Sequence, residues 1–208
     1  TGLGLVVDVP SGLVVHPSLP VKNVKDLIAL ARQRPGQLFA SSSGRATVGH
    51  MSLELFNAMA ATQIVHVPYK GAGPAIIDLV AGHVQLQFSS LPLVSGHVQQ
   101  NRIKLIAQTG ARRAGFAKDI PTMIEAGMAG YVVSSGFSLI GPAGIPRPNA
   151  ERLNAALVTS LRDPANRKFL LEQGAEPIGS SIDEHEAYIK SEVAKWIKVV
   201  KQAGIEPQ

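Results

Sequence analysis

The stretch Gln37-Leu38-Phe39-Ala40-Ser41-Ser42-Ser43-Gly44-Arg45-Ala46-Thr47-Val48 decides the fold of this chain. Its first part, residues 37–41, has the length and apolar content of a strand, and the small polar residues after it predict a loop. A helix follows, because apolar residues recur at helical spacing and predict one apolar face, formed by Val48, Met51, Leu55 and Met59. The stretch therefore predicts a strand, a loop and a helix in that order.

The same unit recurs on both sides of this stretch. Before it, residues 12–16 predict a strand, and Asn23 is expected to cap a helix that Pro35 and Gly36 end. After it, helices are predicted between further strands, which are expected at residues 63–67, 83–89 and 103–108. Strands that alternate with helices indicate an α/β fold built on mainly parallel sheets flanked by helices.

The character of the sequence changes after Thr109. Residues 110–118 are polar and basic without clear periodicity, which is typical of a crossover or a surface loop. An extended segment at residues 131–140 and three helical segments follow. We therefore place a domain boundary here: residues 14–108 are expected to form one ligand-binding lobe. Residues 1–13 and 109–208 are expected to form the remaining part of another lobe, with the C-terminal helices.

The composition is that of a globular protein and excludes several classes of function. Among the 208 residues, 45% are hydrophobic and 17% are charged, a balance that supports a buried core. No run in the sequence reaches the roughly 18 apolar residues of a membrane-spanning helix. The absence of cysteine excludes disulfides and a cysteine nucleophile. The net charge of +5 is scattered, which argues against nucleic-acid binding but favours encounters with small anions.

Two loops that end predicted strands and lead into helices are candidate anion sites, because free backbone N–H groups and the helix dipole favour an anion there. The first offers the hydroxyls of Ser42, Ser43 and Thr47 and the amides of Gly44, Arg45 and Ala46. The second spans residues 68–73, and Ser89 ends a third strand at the same edge. The alternative is that these are caps and turns without a ligand, which the pattern alone favours.

The histidines and serines do not form a recognisable catalytic or metal-binding pattern. His50 is one turn into the helix after the first loop, where it either orients the loop or is a partly exposed histidine without function. The other histidines show no metal-ligand spacing, and no Gly-x-Ser-x-Gly or dinucleotide and phosphate-loop pattern occurs. We therefore predict no metal, no cofactor and no enzymatic activity; a hydrolase using Ser43 and His50 is a weaker alternative.

Several short motifs, taken in order, point to one family. They are His16-Pro17-Ser18-Leu19-Pro20-Val21, Ser42-Ser43-Gly44, Val65-His66-Val67-Pro68-Tyr69-Lys70-Gly71 and Pro142-Ala143-Gly144-Ile145-Pro146. In order and spacing the chain strongly resembles the tripartite tricarboxylate transporter substrate-binding proteins, also called the Bug family, over nearly all of its length. A competing interpretation is the ligand-sensing domain of a transcription regulator, although no DNA-binding segment is visible.

The resemblance implies a two-lobed clamshell of the periplasmic-binding type, exported to the periplasm with its signal peptide removed. Such proteins deliver carboxylates to an inner-membrane permease. The resemblance also implies that residues 42–47 contribute ligand contacts from the second lobe, with His50, Tyr69 and Lys70 nearby.

Three departures from the family pattern modify these expectations. Ser89 replaces a common acidic residue, which favours a plain di- or tricarboxylate over an amino acid. Gly136 replaces a common Trp, which is expected to widen the cleft. The opening part of the family's first lobe has no counterpart before Thr1, so the first lobe is expected to be incomplete and self-association is an expected consequence.

Overall fold

The computed structural model describes residues 1–115 and 117–205. Its strands are β1 (Gly2–Val15), β2 (Phe39–Ser42), β3 (Val65–Pro68), β4 (Leu86–Ser90), β5 (Lys104–Gln108), β6 (Ser134–Ile140) and β7 (Glu176–Pro177). Its helices are α1 (Val24–Gln33), α2 (Val48–Ala60), α3 (Ala72–Ala81), α4 (Leu91–Gln99), α5 (Arg147–Arg162), α6 (Pro164–Glu172) and α7 (Ile182–Ala203). Strands and helices alternate from β1 to β5, which confirms the α/β class. Asn23 caps α1 as predicted, because its side chain accepts a hydrogen bond from the Asp26 amide.

The chain forms two compact units. The smaller unit comprises residues 1–9 and 135–197, and the larger unit comprises residues 10–134 with the chain from Lys198 onward. The larger unit extends past both ends of the lobe predicted at 14–108. The assignment of these segments to ligand-binding lobes stays a prediction.

Gln108, which is fully buried, explains why the larger unit continues beyond β5. Its side-chain Nε2 donates to the carbonyls of Ala117 and Ile120, and its Oε1 accepts from the amide of Ala114. Its backbone amide donates to the Pro121 carbonyl. The segment expected to be a surface loop is thus folded back onto the end of β5 by one glutamine.

The sheet of the larger unit has the order β3-β2-β4-β1-β5. β2 is parallel to β3 and β4, whereas β1 is antiparallel to both β4 and β5. The expected mainly parallel sheet is therefore a mixed one. The reason is topological: crossover helices keep β2, β3, β4 and β5 parallel to each other, while β1 inserts between β4 and β5 from the opposite direction.

Helices cover both faces of this sheet. On one face, α3 and α4 bury a cluster of aliphatic side chains formed by Val14, Ile76, Leu79, Val84, Val94 and Ile103. On the other face, α2 packs Phe56 against Phe88 of β4, with ring centroids 6.0 Å apart. The fully buried Tyr131 stacks on Phe88 and donates its hydroxyl to the Ser52 carbonyl at 2.7 Å.

The buried face of α2 differs from the predicted one. Met51 is buried as predicted, but Val48 and Met59 are exposed, at 38% and 40%, and Leu53 and Phe56 are buried in their place. The face of α2 that contains Leu53 and Phe56 points toward the sheet because Gly49 lies against β4. A Cβ at Gly49 would be 2.8 Å from the Phe88 carbonyl oxygen. Positions 49, 53, 56 and 60 therefore form the contact face, and a pattern of apolar residues does not reveal a glycine contact.

The smaller unit is built on the first part of β1. Val7 and Asp8 pair antiparallel with Pro177 and Glu176 of β7, and β6 also pairs with β1. A Cβ at Gly136 would lie 2.5 Å from the Tyr188 hydroxyl oxygen. Tyr188 thus occupies the space beside Gly136, and the wider cleft expected from this position stays a prediction.

Replacement of Gly49 by alanine is expected to destabilise the larger unit. The added methyl group would push α2 away from the Phe88 carbonyl, which should lower the free energy of unfolding by about 1–3 kcal/mol in urea titration. Gly96→Ala is the matched control, because Gly96 lies in α4 with nothing within 4 Å of an added Cβ. That control should be neutral or stabilising by up to about 1 kcal/mol. Equal effects of both changes would contradict the close contact at Gly49.

Candidate anion-binding site

The carboxyl ends of β2, β3 and β4 lie at one edge of the sheet because these strands are parallel. Helices α2, α3 and α4 begin at that edge, and the residues before them are Thr47, Gly71 and Ser90. None of these three residues makes a side-chain capping hydrogen bond within the described part of the chain. By contrast, Asn23 and Asp163 cap α1 and α6. Among the described residues, the first-turn amides of α2, α3 and α4 are thus left for another acceptor, except at Pro74 and Pro92, which have no N–H.

The loop after β2, residues 43–47, is shaped by two of the predicted ligand residues. The Ser42 hydroxyl is within 2.8 Å of the Gly44 carbonyl oxygen, and the Gly44 amide donates back to it at 3.2 Å. Thr47 Oγ1 also donates to the Gly44 carbonyl, at 2.8 Å. Ser42 is only 1% exposed. Both hydroxyls therefore hold the loop rather than face outward.

The groups of this loop that are free to bind a ligand are different ones. Among the described residues, no acceptor is found for the amides of Arg45 and Thr47, and the Ser43 hydroxyl makes no hydrogen bond. The Arg45 side chain is exposed and forms no ion pair with any residue that the structure describes. Two amides, one hydroxyl and one guanidinium thus surround the start of α2.

His50 holds the loop in place through a hydrogen bond to its backbone. It is 7% exposed, more buried than the sequence suggested, and its Nδ1 accepts a hydrogen bond from the Ala46 amide at 3.0 Å. Ala46 has a φ of 55°, a left-handed conformation that is costly for a residue with a Cβ. Nε2 of His50 lies 3.4 Å from Glu54 Oε1. His50 therefore stabilises a strained turn of the loop.

His66, which sequence reasoning did not select, completes this arrangement. Its ring stacks on His50 with centroids 3.8 Å apart, and its Nε2 lies 2.6 Å from Ser42 Oγ. Burial, followed by the nearby charges of His50 and Arg45, lowers the pKa of His66 to about 4, although the carboxylate of Glu54 acts in the opposite direction. The sequence places His66 in a predicted strand that leads into the second loop. This position does not predict that its ring stacks on another histidine.

The second loop lies beside the first because it continues the parallel pairing of β2 and β3. The Tyr69 amide donates to the Ser42 carbonyl at 3.0 Å, and the Gly71 amide donates to the Ser43 carbonyl at 3.1 Å. Lys70, between them, is exposed and forms no ion pair among the residues that the structure describes. The Lys70 ammonium group therefore adds a second unpaired cation near the start of α2.

Tyr69 has a structural partner of its own. Its hydroxyl donates to Asp78 Oδ2 at 2.6 Å, which fixes the second loop to α3. Partial burial, followed by the bond to Asp78 and the charge of that carboxylate, raises the pKa of Tyr69 to about 12. A ligand would therefore meet the aromatic ring rather than a free hydroxyl.

Ser89 is separated from the other predicted residues. Ser41 and Gln87 are paired neighbours on β2 and β4, and Ser41 faces α3, because its hydroxyl donates to the Ala75 carbonyl. Strand alternation places Ser89 on the same face as Gln87 and Ser42 on the opposite face. Ser89 is also buried at 7% exposure. The structure thus brings residues 42–47, His50, Tyr69 and Lys70 together, whereas Ser89 lies on the opposite face of the sheet from Ser42.

The tyrosines are expected to resist ionisation while the protein is folded. Burial is the first cause at each of them: it raises the pKa of Tyr69 and of Tyr188 to about 12 and that of Tyr131 well above 10. Because tyrosines of the unfolded chain ionise near pH 10, their contribution to the free energy of unfolding should be constant below that pH and fall as the pH rises above it. Absorbance at alkaline pH measures this, and tyrosinate at pH 10 in the folded protein would contradict it.

The sequence as a whole matches a family model described as the tripartite tricarboxylate transporter family receptor, TctC, over residues 1–205. The chain belongs to this family. The protein BugT of Bordetella pertussis is 30% identical over 202 residues, which are 97% of this chain and 62% of that protein. A protein of Pseudomonas sp. strain P51, encoded in the tcbD-tcbE intergenic region, is 31% identical over 94% of this chain and 59% of its own length.

Solved structures share the fold. A protein described as R. palustris Rpa4515 with adipate is 38% identical, with a TM-score of 0.86 over 100% of this chain and 70% of that chain. MatC from Rhodopseudomonas palustris with bound malate is 25% identical, with a TM-score of 0.78 over 96% of this chain and 69% of that chain. The chain spans about 60% of the length of BugT, of the Pseudomonas protein and of a relative from Agrobacterium vitis. Within the described residues, no helix is both long and apolar enough to cross a membrane.

Proposed function

We propose that the chain captures a small di- or tricarboxylate outside the cytoplasm, in the periplasm, and passes it to the inner-membrane permease of a tripartite tricarboxylate-type transporter. The observation that carries this proposal is the start of α2, where Thr47 provides no side-chain cap. The free amides of Arg45 and Thr47 lie there beside two unpaired cations. A carboxylate can accept several N–H bonds at such a helix start and gains from the helix dipole.

The class of ligand is supported by two related structures and by the charges near the site. The related structures are those of Rpa4515 with adipate and of MatC with bound malate, and neither of these acids has an ammonium group. At the sheet edge, Glu54 lies against His50 and Asp78 accepts from Tyr69, so both carboxylates are already engaged. With Ser89 neutral and buried, the described residues of the site offer an amino acid no free carboxylate for its ammonium group. We therefore favour plain carboxylates over amino acids.

A binding role fits the geometry better than hydrolysis. A hydrolase would need His50 to take a proton from Ser43, but Nδ1 of His50 is occupied by the Ala46 amide and Nε2 faces Glu54. The serine that does contact a histidine, Ser42, is buried and is already bonded to Gly44. These contacts support a receptor without enzymatic activity, as does membership of a receptor family.

Carboxylate binding is tested by calorimetry and thermal shift with adipate, malate, citrate, aspartate and glutamate. A ligand of the folded state raises the melting temperature, so a shift with the plain acids and a weaker one with the amino acids is expected. Arg45→Gln and Lys70→Gln should each weaken binding about threefold to tenfold, as expected for partly exposed charge pairs.

Lys104→Gln is the matched control for the charge variants. It removes the same charge at the beginning of β5, which the pairing with Val15 places at the opposite edge of the sheet. The control should bind like the unchanged protein. Tighter binding of aspartate than of any plain dicarboxylate, or equal losses in all three variants, would contradict the proposed site.

Self-association is a second part of the proposal, supported by exposed apolar side chains of the smaller unit. Phe137 and Ile140 of β6 are 58% and 73% exposed, and α7 exposes a helical stripe of Ile189, Val193 and Ile197. Light scattering should show an apparent mass that rises with protein concentration, and the double change Phe137→Ser and Ile140→Ser should reduce it. A strictly monomeric protein at high concentration would sink this part of the proposal.

A further inference from the structure

The conformation of the loop after β2 depends on one acceptor atom. Ala46 holds a φ of 55°, and the partner of its amide is Nδ1 of His50, at 3.0 Å. A left-handed residue with a Cβ persists where surrounding contacts hold it. The neighbouring amides of Arg45 and Thr47, which are free for a ligand, take their directions from this turn.

The hydrogen bonds assign the protons on both imidazole rings. Nδ1 of His50 accepts a bond, so neutral His50 carries its proton on Nε2, which faces Glu54 Oε1 at 3.4 Å. The Ser42 hydroxyl has a single proton and the Gly44 carbonyl can only accept, so Nε2 of His66 is the donor to Ser42 Oγ. Two neutral rings, both protonated on Nε2, satisfy all of these contacts at once.

Acid would disturb this arrangement at His50. The charged groups that face the stacked rings are Glu54 of α2 and Arg45 of the loop. His66 stays neutral in mild acid because burial, followed by the charge of His50, lowers its pKa to about 4, so the two rings do not become charged together. Glu54 is placed to stabilise a charge on His50. A second proton on His50, however, enters at Nδ1 and points at the Ala46 N–H, where a donor then faces a donor.

We propose that His50 is a positioning residue of the anion site, whose neutral ring holds the loop in the binding conformation and whose protonation releases it. This inference rests on the proposed carboxylate site and adds a regulation to it: affinity for the anion falls once acid places a second proton on the His50 ring. Simple electrostatics predicts the opposite sign, because an imidazolium attracts an anion. The direction of the pH effect therefore shows whether His50 acts by holding the loop in position or by attracting the anion with its charge.

The binding test uses adipate and calorimetry at pH 8 and pH 6 with the full chain and two variants. His50→Asn places a non-titrating acceptor near the position of Nδ1, and His50→Phe keeps the stacked ring without an acceptor. The unchanged protein should lose about threefold to tenfold in affinity at pH 6, the size expected for one hydrogen bond. His50→Asn should bind adipate with less dependence on pH, and His50→Phe should bind weakly at both pH values. Protonation of adipate itself affects all three proteins equally.

Three binding results would overturn the inference: the same pH dependence in His50→Asn as in the unchanged protein, tighter binding at pH 6, or unchanged binding by His50→Phe.

A second readout does not need a ligand and keeps the two proposals distinguishable. Nitrogen-15 shifts should show His50 protonated on Nε2 at pH 8, and the exchange protection of the Ala46 amide should fall about threefold to tenfold at pH 6. His50→Asn should retain that protection. If adipate and the other acids do not bind at all, the proposed function fails while this readout still decides the role of His50. A proton on Nδ1 at pH 8, or protection that does not change with pH, would overturn that role.

Discussion

The parallel pairing of β2 with β3 and β4 is the constraint on which the candidate site depends. Parallel strands end at the same edge, so three loops and three helix starts converge there. The pairing also continues past the strands, because the amides of Tyr69 and Gly71 donate to the carbonyls of Ser42 and Ser43. The two loops are thereby held side by side by backbone bonds, which do not depend on the identity of the side chains.

Within this frame, buried polar groups are used to shape the loop and exposed ones are left for a ligand. Ser42, His50 and His66 satisfy one another or the loop backbone, which is required of polar atoms away from water. The start of α2 differs, because it has no side-chain cap and its amides remain available to a ligand. A helix end that is left uncapped forgoes about 1 kcal/mol of stability, a cost that a binding site can offset when its ligand arrives.

Much of the fold could be predicted because it follows from local patterns. Asn23 before an apolar helical stripe predicted the start of α1, and alternating strands and helices predicted the α/β class. The orientation of β1 could not be predicted, because no crossover helix ties it to its neighbours and strand direction is decided by long-range pairing. The buried face of α2 was missed for a similar reason: Gly49 makes its contact through the absence of a side chain.

The sequence by itself determined the family, the α/β class and the loop at residues 42–47, because ordered motifs and periodicity are properties of the chain alone. Only the tertiary structure decided which groups of that loop are free. In the folded chain, the hydroxyls of Ser42 and Thr47 bond within the protein and His66 stacks on His50. The Tyr69 hydroxyl donates to Asp78, and Ser89 lies on the opposite face of the sheet from Ser42. These outcomes depend on which strands are neighbours and on which face each residue lies, and both are set by contacts between residues distant in the chain.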